Sequence, residues 1–95
     1  MKKTLNSKQP IELKDDAEVI LQAFGEKLKA IRTAKDFSQD TVAFVSGLSR
    51  SYYAEIELGK RNVSLINIIK IAVTLEVELD ELLYFKENKN FLSRV

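Results

Sequence analysis

Three serines limit what this chain can fold into, because each stands directly before a stretch of apolar residues at helical spacing. Ser38, Ser49 and Ser64 carry short hydroxyl side chains able to accept a hydrogen bond from the free backbone N–H groups of a starting helix. Gly47 falls between the first two, where a chain leaving a helix needs a positive φ that glycine adopts at little cost. The chain is thereby cut into short helices joined by tight turns. One helix runs from Ser38 to about Ser46, with Asp40 suited to the positive end of its dipole. The next starts at Ser49, turns Tyr52, Tyr53 and Ile56 inward and stops at Gly59. A further helix follows Ser64, with Leu65, Ile68, Ile69, Ala72 and Leu75 on one stripe and Ile66 and Val73 off it.

Upstream, Ala17, Ile20, Leu21, Phe24, Leu28 and Ile31 trace one face of a long amphipathic helix from Asp15, either continuous or divided at Gly25. A short fifth helix around residues 80–85 brings Leu82, Leu83 and Phe85 to close the core. No segment reads as a strand and no repeat is present. Residues 1–14, polar and holding the single proline Pro10, read as a flexible N-terminal tail. Residues 15–86 form the folded domain, and residues 87–95 are a C-terminal tail or a last helical turn.

Ninety-five residues, 45% of them apolar, supply one core and little else. The chain has no cysteine and no histidine, which removes disulfides, thiolate chemistry and the commonest general base and metal ligand. The adjacent carboxylates Asp15/Asp16 and Asp80/Glu81 sit in first turns of helices, where the dipole favours them. We therefore expect no enzyme activity, no catalytic residue, no metal site and no cofactor. No apolar run approaches the roughly 18 residues that span a bilayer, and no signal-peptide pattern follows the N-terminal lysines, so a cytoplasmic protein without membrane contact is expected. Fifteen basic and fourteen acidic residues give a net charge of +1. The sequence pI near 7.9 is too low to point to nucleic acid by itself, so the functional reading depends on where individual residues fall.

Two short helices joined by a glycine-containing turn form a helix-turn-helix, whose second helix can enter a DNA major groove. The run SQDTVAFVSGLSRSYYAEIELGKRNVSL resembles the Xre/Cro-type family of bacterial and phage regulators, and within it SRSYYAEIELGKRNVSLINIIKIA is similar to the controller proteins of restriction-modification systems. The resemblance spans roughly residues 24–83. It implies an all-α, five-helix, lambda-repressor-like DNA-binding domain, with Gln39 opening the second helix, Ala43 at a helix crossing, Gly47 in the turn and Ile56 in the core. Asp36 stands where the family often has glycine, and Val63 where many members have proline.

By this resemblance Ser49, Arg50, Ser51, Tyr52 and Glu55 reach DNA base edges. Arg50 is suited to donate two parallel hydrogen bonds to guanine, Ser51 to donate or accept, Tyr52 to meet a phosphate or a thymine methyl, and Glu55 to accept from a cytosine amino group. Ser38 and Gln39 stand at a helix N-terminus, which suits a phosphate oxygen. Lys60, Arg61 and Asn62 clamp the DNA backbone beyond the recognition helix in similar proteins, and Arg32 and Glu57 match positions that form a partly buried ion pair. Lys27, Lys29 and Lys35 read as a solvated face. The implied partners are double-stranded DNA and a second copy of the chain, with RNA polymerase as a further candidate. The apolar Ile66, Val73, Leu79 and Leu83 exceed what one side of so small a domain needs, and an isologous homodimer would cover them. The expected function is a dimeric, sequence-specific transcription regulator on an inverted-repeat operator, of the restriction-modification controller type. The alternatives are a phage-type repressor, or an antitoxin-like interaction module that regulates its own operon.

Overall fold

The computed structural model describes residues 12–85. The tail readings for residues 1–11 and 87–95, and Lys86 at the edge of the expected domain, lie outside the described residues. Five helices follow in order: α1 (Lys14–Ala34), α2 (Gln39–Ser46), α3 (Arg50–Glu57), α4 (Leu65–Leu75) and α5 (Leu79–Leu83). None of the described helices is long and apolar enough to cross a membrane.

Each expected serine cap is in place. The Ser38, Ser49 and Ser64 hydroxyls accept from the backbone N–H of Thr41, Tyr52 and Asn67 at 3.1, 3.2 and 3.2 Å. The helix ends share a second device. After α1, α2, α3 and α4 the chain passes through positive φ at Asp36 (60°), Gly47 (72°), Gly59 (76°) and Glu76 (56°). In each case the next residue's N–H reaches back five positions: Phe37 to Arg32, Leu48 to Ala43, Lys60 to Glu55 and Val77 to Ala72. This Schellman arrangement satisfies carbonyls that the helix end leaves free. Asp36 thus adopts the backbone geometry that a glycine would take there.

α1 runs unbroken through Gly25, and the reason lies in what the glycine touches. A β-carbon on Gly25 would stand 2.5 Å from the Glu57 carbonyl oxygen and 2.7 Å from that of Ile56. Gly59 returns the contact, since a β-carbon there would meet the Gln22 Cα at 2.8 Å. α1 and the end of α3 therefore press together backbone against backbone, with a glycine on each side of the seam.

The core gathers Leu28 of α1, Val42 of α2, Tyr53 and Ile56 of α3, Ile71 and Leu75 of α4 and Leu82 of α5, all fully buried. Phe24 and Ala43 are buried with them. Three sequence expectations need correction. Ala17 is exposed, outside the buried face of α1. On α4 the inward residues are Ile68, Ile71, Ala72 and Leu75, whereas Leu65 and Ile69 face outward. In the stretch LINIIKIAVTL only Asn67, Lys70 and Thr74 are polar, so apolar residues fall on more than one face and periodicity alone does not single out the buried one. α5 ends at Leu83, and Phe85 packs against the core from beyond it.

Candidate nucleic-acid interface

α2, the three-residue turn Gly47–Leu48–Ser49 and α3 form a helix-turn-helix. Ala43 is small enough to bury at the crossing, and Leu48 packs against the core, so the turn is pinned from inside. Tyr53, Ile56 and Glu57 fix the inner side of α3. Ser49, Arg50 and Ser51 are left exposed at its N-terminal end, with Tyr52 and Glu55 half-buried beside them.

A polar network holds α3 against α1. Arg32 donates from Nε to Glu57 Oε2 at 2.6 Å and from Nη2 to Oε1 at 2.9 Å, a two-pronged pair that is almost fully buried. Its Nη1 donates to the Phe37 carbonyl at 2.7 Å, so one guanidinium ties the end of α1, the following loop and the end of α3. Gln39 adds a bond from Nε2 to Glu57 Oε1 at 3.0 Å. Burial pushes the Glu57 carboxyl up, but the hydrogen bonds from Arg32 and Gln39 outweigh it and hold the group below its ordinary value. The Tyr53 phenol lies near this pair without a well-directed hydrogen bond, and burial first, then the Glu57 carboxylate, pushes its ionisation up. Tyr53 therefore stays neutral.

Several sequence-selected residues already have partners within the protein. The Ser38 hydroxyl caps α2 and donates to the Thr41 hydroxyl at 3.0 Å, and the Ser49 oxygen caps α3. The Gln39 side chain is turned to Glu57, and in the first turn of α2 the Thr41 N–H is taken by the Ser38 hydroxyl. Arg50 is paired with Asp40 of α2. Arg61 donates to Glu55 Oε1 from Nη2 at 3.0 Å, and its guanidinium lies 5.5 Å from the centroid of the Tyr52 ring. The Tyr52 hydroxyl accepts from Asn67 Nδ2 of α4 at 3.4 Å. Lys60, Arg61 and Asn62 are all exposed along the loop after α3.

Asp40 and Asn67 are the members of this face that sequence reasoning missed as partners. Local chemistry ties Asp40 only to the helix dipole, and its pairing with Arg50 crosses a turn that spacing does not resolve. Asn67 shows no signal beyond its position three residues after a capping serine. Of the expected dimer residues, Ile66 and Val73 are 63% and 71% exposed, Leu83 is partly exposed and Leu79 half-buried.

A family profile described as helix-turn-helix matches residues 28–82. The control protein C.MunI of a Mycoplasma species is 52% identical over 60 residues, which cover 62% of this chain and 81% of that protein. The control protein C.BamHI of Bacillus amyloliquefaciens is 48% identical over 63 residues, 65% of this chain and 78% of that one. Among solved structures, the restriction-modification controller protein C.AhdI from Aeromonas hydrophila superimposes with a TM-score of 0.66 at 53% identity, covering 67% of this chain and 97% of its own. Residues 28–82, which the family profile matches, contain the three serine caps, the Gly47 turn and the Arg32–Glu57 pair. The chain belongs to the Xre/Cro-type helix-turn-helix family of DNA-binding transcription regulators and is closely related to the controller proteins of restriction-modification systems.

Proposed function

We propose that this protein regulates a restriction-modification operon by binding an inverted-repeat operator as a homodimer. The observation that carries the reading is the exposed N-terminal end of α3, where Ser49, Arg50 and Ser51 face solvent, together with the exposed Lys60, Arg61 and Asn62 in the loop after the helix. In this reading α3 enters the major groove and Arg50 reads a guanine through two parallel hydrogen bonds. Ser51, Tyr52 and Glu55 meet neighbouring bases, with the Ser49 hydroxyl as a further donor. The N-terminus of α2 at Ser38 and Gln39, together with Lys60, Arg61 and Asn62, fixes the register on the phosphates.

The dimer forms through α4 and α5, where Ile66, Val73, Leu79 and Leu83 would be covered by a second copy. Two-fold symmetry then presents two recognition helices, which enter successive major grooves when they lie about 34 Å apart. The operator is accordingly an inverted repeat with half-site centres roughly 10 base pairs apart. Binding selection from random DNA, followed by footprinting and sedimentation, tests this. Inverted repeats protected by a dimer are the expected result; direct repeats, or single half-sites bound as tightly as pairs, would overturn the symmetric mechanism.

A protein-interaction role is the second reading, favoured by the exposure of Phe44 and Val45 on α2. It predicts no selected sequence at all from the same experiment.

A further inference from the structure

We propose that Glu55 gates Arg61, so that the backbone contact at the end of the recognition helix forms fully only where the DNA offers a base for Glu55 to read. This rests on α3 being the recognition helix, as argued above. Both side chains of the pair are partly exposed, and they lie on the surface assigned to DNA. Arg61 donates to the single oxygen Oε1 of Glu55 from both Nε, at 3.3 Å, and Nη2, at 3.0 Å. The Tyr52 ring flanks the guanidinium, and the Lys60 N–H bonds the Glu55 carbonyl at 2.9 Å, so the loop bearing Arg61 is anchored to the residue that its side chain grips.

A carboxylate on a surface that meets phosphates is repelled by them, unless a cation or a hydrogen-bond donor answers it. In the free protein Arg61 is that cation, and the pair carries no net charge. On DNA of arbitrary sequence the pair persists, and Arg61 displaces little of the counterion atmosphere that gives non-specific binding its strength. A cytosine amino group in the major groove is a donor of the right kind for Glu55. Once it engages the carboxylate, the two N–H groups that Arg61 spent on Oε1 are released to a phosphate. Base reading and backbone clamping then occur together, and discrimination is gained by withholding affinity from wrong sequences.

The test compares full-length wild type with Glu55→Gln, Arg61→Ala and the double variant, on the operator recovered by selection and on unrelated duplex DNA, across a salt titration. Gln keeps the size of Glu55 and one acceptor oxygen but loses the charge. The expected result for Glu55→Gln is tighter binding to unrelated DNA, a salt slope steeper by about one unit, and an operator preference reduced about tenfold. Arg61→Ala should weaken operator binding most, and weaken binding to unrelated DNA as well, because it leaves the Glu55 carboxylate unanswered. In the double variant the gain on unrelated DNA should disappear.

An unchanged slope and affinity for Glu55→Gln on unrelated DNA would overturn the gate. So would a double variant that binds unrelated DNA as tightly as Glu55→Gln does, since the gain would then owe nothing to a released Arg61. Arg50→Ala, measured alongside, separates the two levels of the reading. If it abolishes sequence preference while Glu55→Gln changes nothing, the gate fails and the recognition helix stands. If it leaves preference intact, the assignment of α3 fails with it.

Discussion

Arg50 Nε lies 2.7 Å from Asp40 Oδ1, joining the first turn of α3 to the first turn of α2. Both side chains are about 70% exposed, and solvent screens the attraction, so a pair of this kind adds at most about 1 kcal/mol to folding. Its consequence lies in where it holds the Arg50 guanidinium. Asp40→Asn and Arg50→Ala should each shift the denaturant midpoint only slightly, which leaves their effects on DNA readable. Arg50→Ala should cost about 1–3 kcal/mol of discrimination at one base pair of each half-site, measured by competition between operator variants. An equal loss on every sequence would mean that Arg50 contacts only the backbone.

Glu57 is a different case, because its pair with Arg32 is buried. Replacing Glu57 by Ala removes the carboxylate to which the Arg32 guanidinium donates twice and leaves a buried charge with only the Phe37 carbonyl, and such losses cost about 3–5 kcal/mol. Replacing both residues by apolar side chains of similar size should cost much less, since neither charge is then stranded. Chemical denaturation of the single and double variants checks this. A double variant as unstable as the sum of the singles would show that the pair stabilises the fold beyond offsetting its own desolvation.

The same carboxyl sets a pH dependence. Glu57 is held below its ordinary value in the folded protein, so the unfolded chain takes up its proton first as the pH falls. The contribution to stability is complete above the ordinary carboxylate range, near pH 4.3 for glutamate, and is lost as the pH drops through the lower folded value. Unfolding free energy should therefore decline on acidification below about pH 5. The decline should be shallower in Glu57→Gln, and parallel curves for the two proteins would rule out this carboxyl as the source.

Glycine exchanges should act in opposite directions at two positions. Gly25→Ala forces a methyl group against the Glu57 and Ile56 carbonyls, an overpacking that typically costs about 1–3 kcal/mol. The better helix propensity of alanine, about 1 kcal/mol, offsets only part of that cost. Asp36→Gly instead relieves a side chain from positive φ and should raise stability by up to about 1 kcal/mol. Thermal unfolding distinguishes the two. A stabilised Gly25→Ala protein would mean that α1 and α3 can separate without loss.

What the sequence discloses and what it hides divide along a physical line. Ser38, Ser49, Ser64 and Gly47 act on backbone groups within a few residues, so their roles are legible from local chemistry. The Asp36 position could be judged only as a departure from the family, and its left-handed backbone appears once Phe37 is seen bonding back to Arg32. Gly25 was ambiguous because what it permits is an approach by Glu57, thirty-two positions away in the chain. The outward turn of Leu65 and Ile69 is hidden for another reason: α4 carries apolar residues on more than one face, and only its neighbours decide which are covered. At the candidate interface the residue types were legible, but their internal pairings were not. Asp40 with Arg50, and Glu55 with Arg61, meet across a turn and a loop.

The seam between Gly25 and Gly59 bears on how proteins of this design can diverge. There α3 is seated on α1 through main-chain atoms, which every amino acid supplies alike. In the proposed mode of binding, exchanging Arg50, Ser51 and Glu55 would leave that seat untouched, so the aim of the helix is inherited separately from what it recognises. A lineage can therefore acquire a new target sequence by a few surface substitutions while its scaffold stands still, and substitutions at the two glycines would alter every target at once.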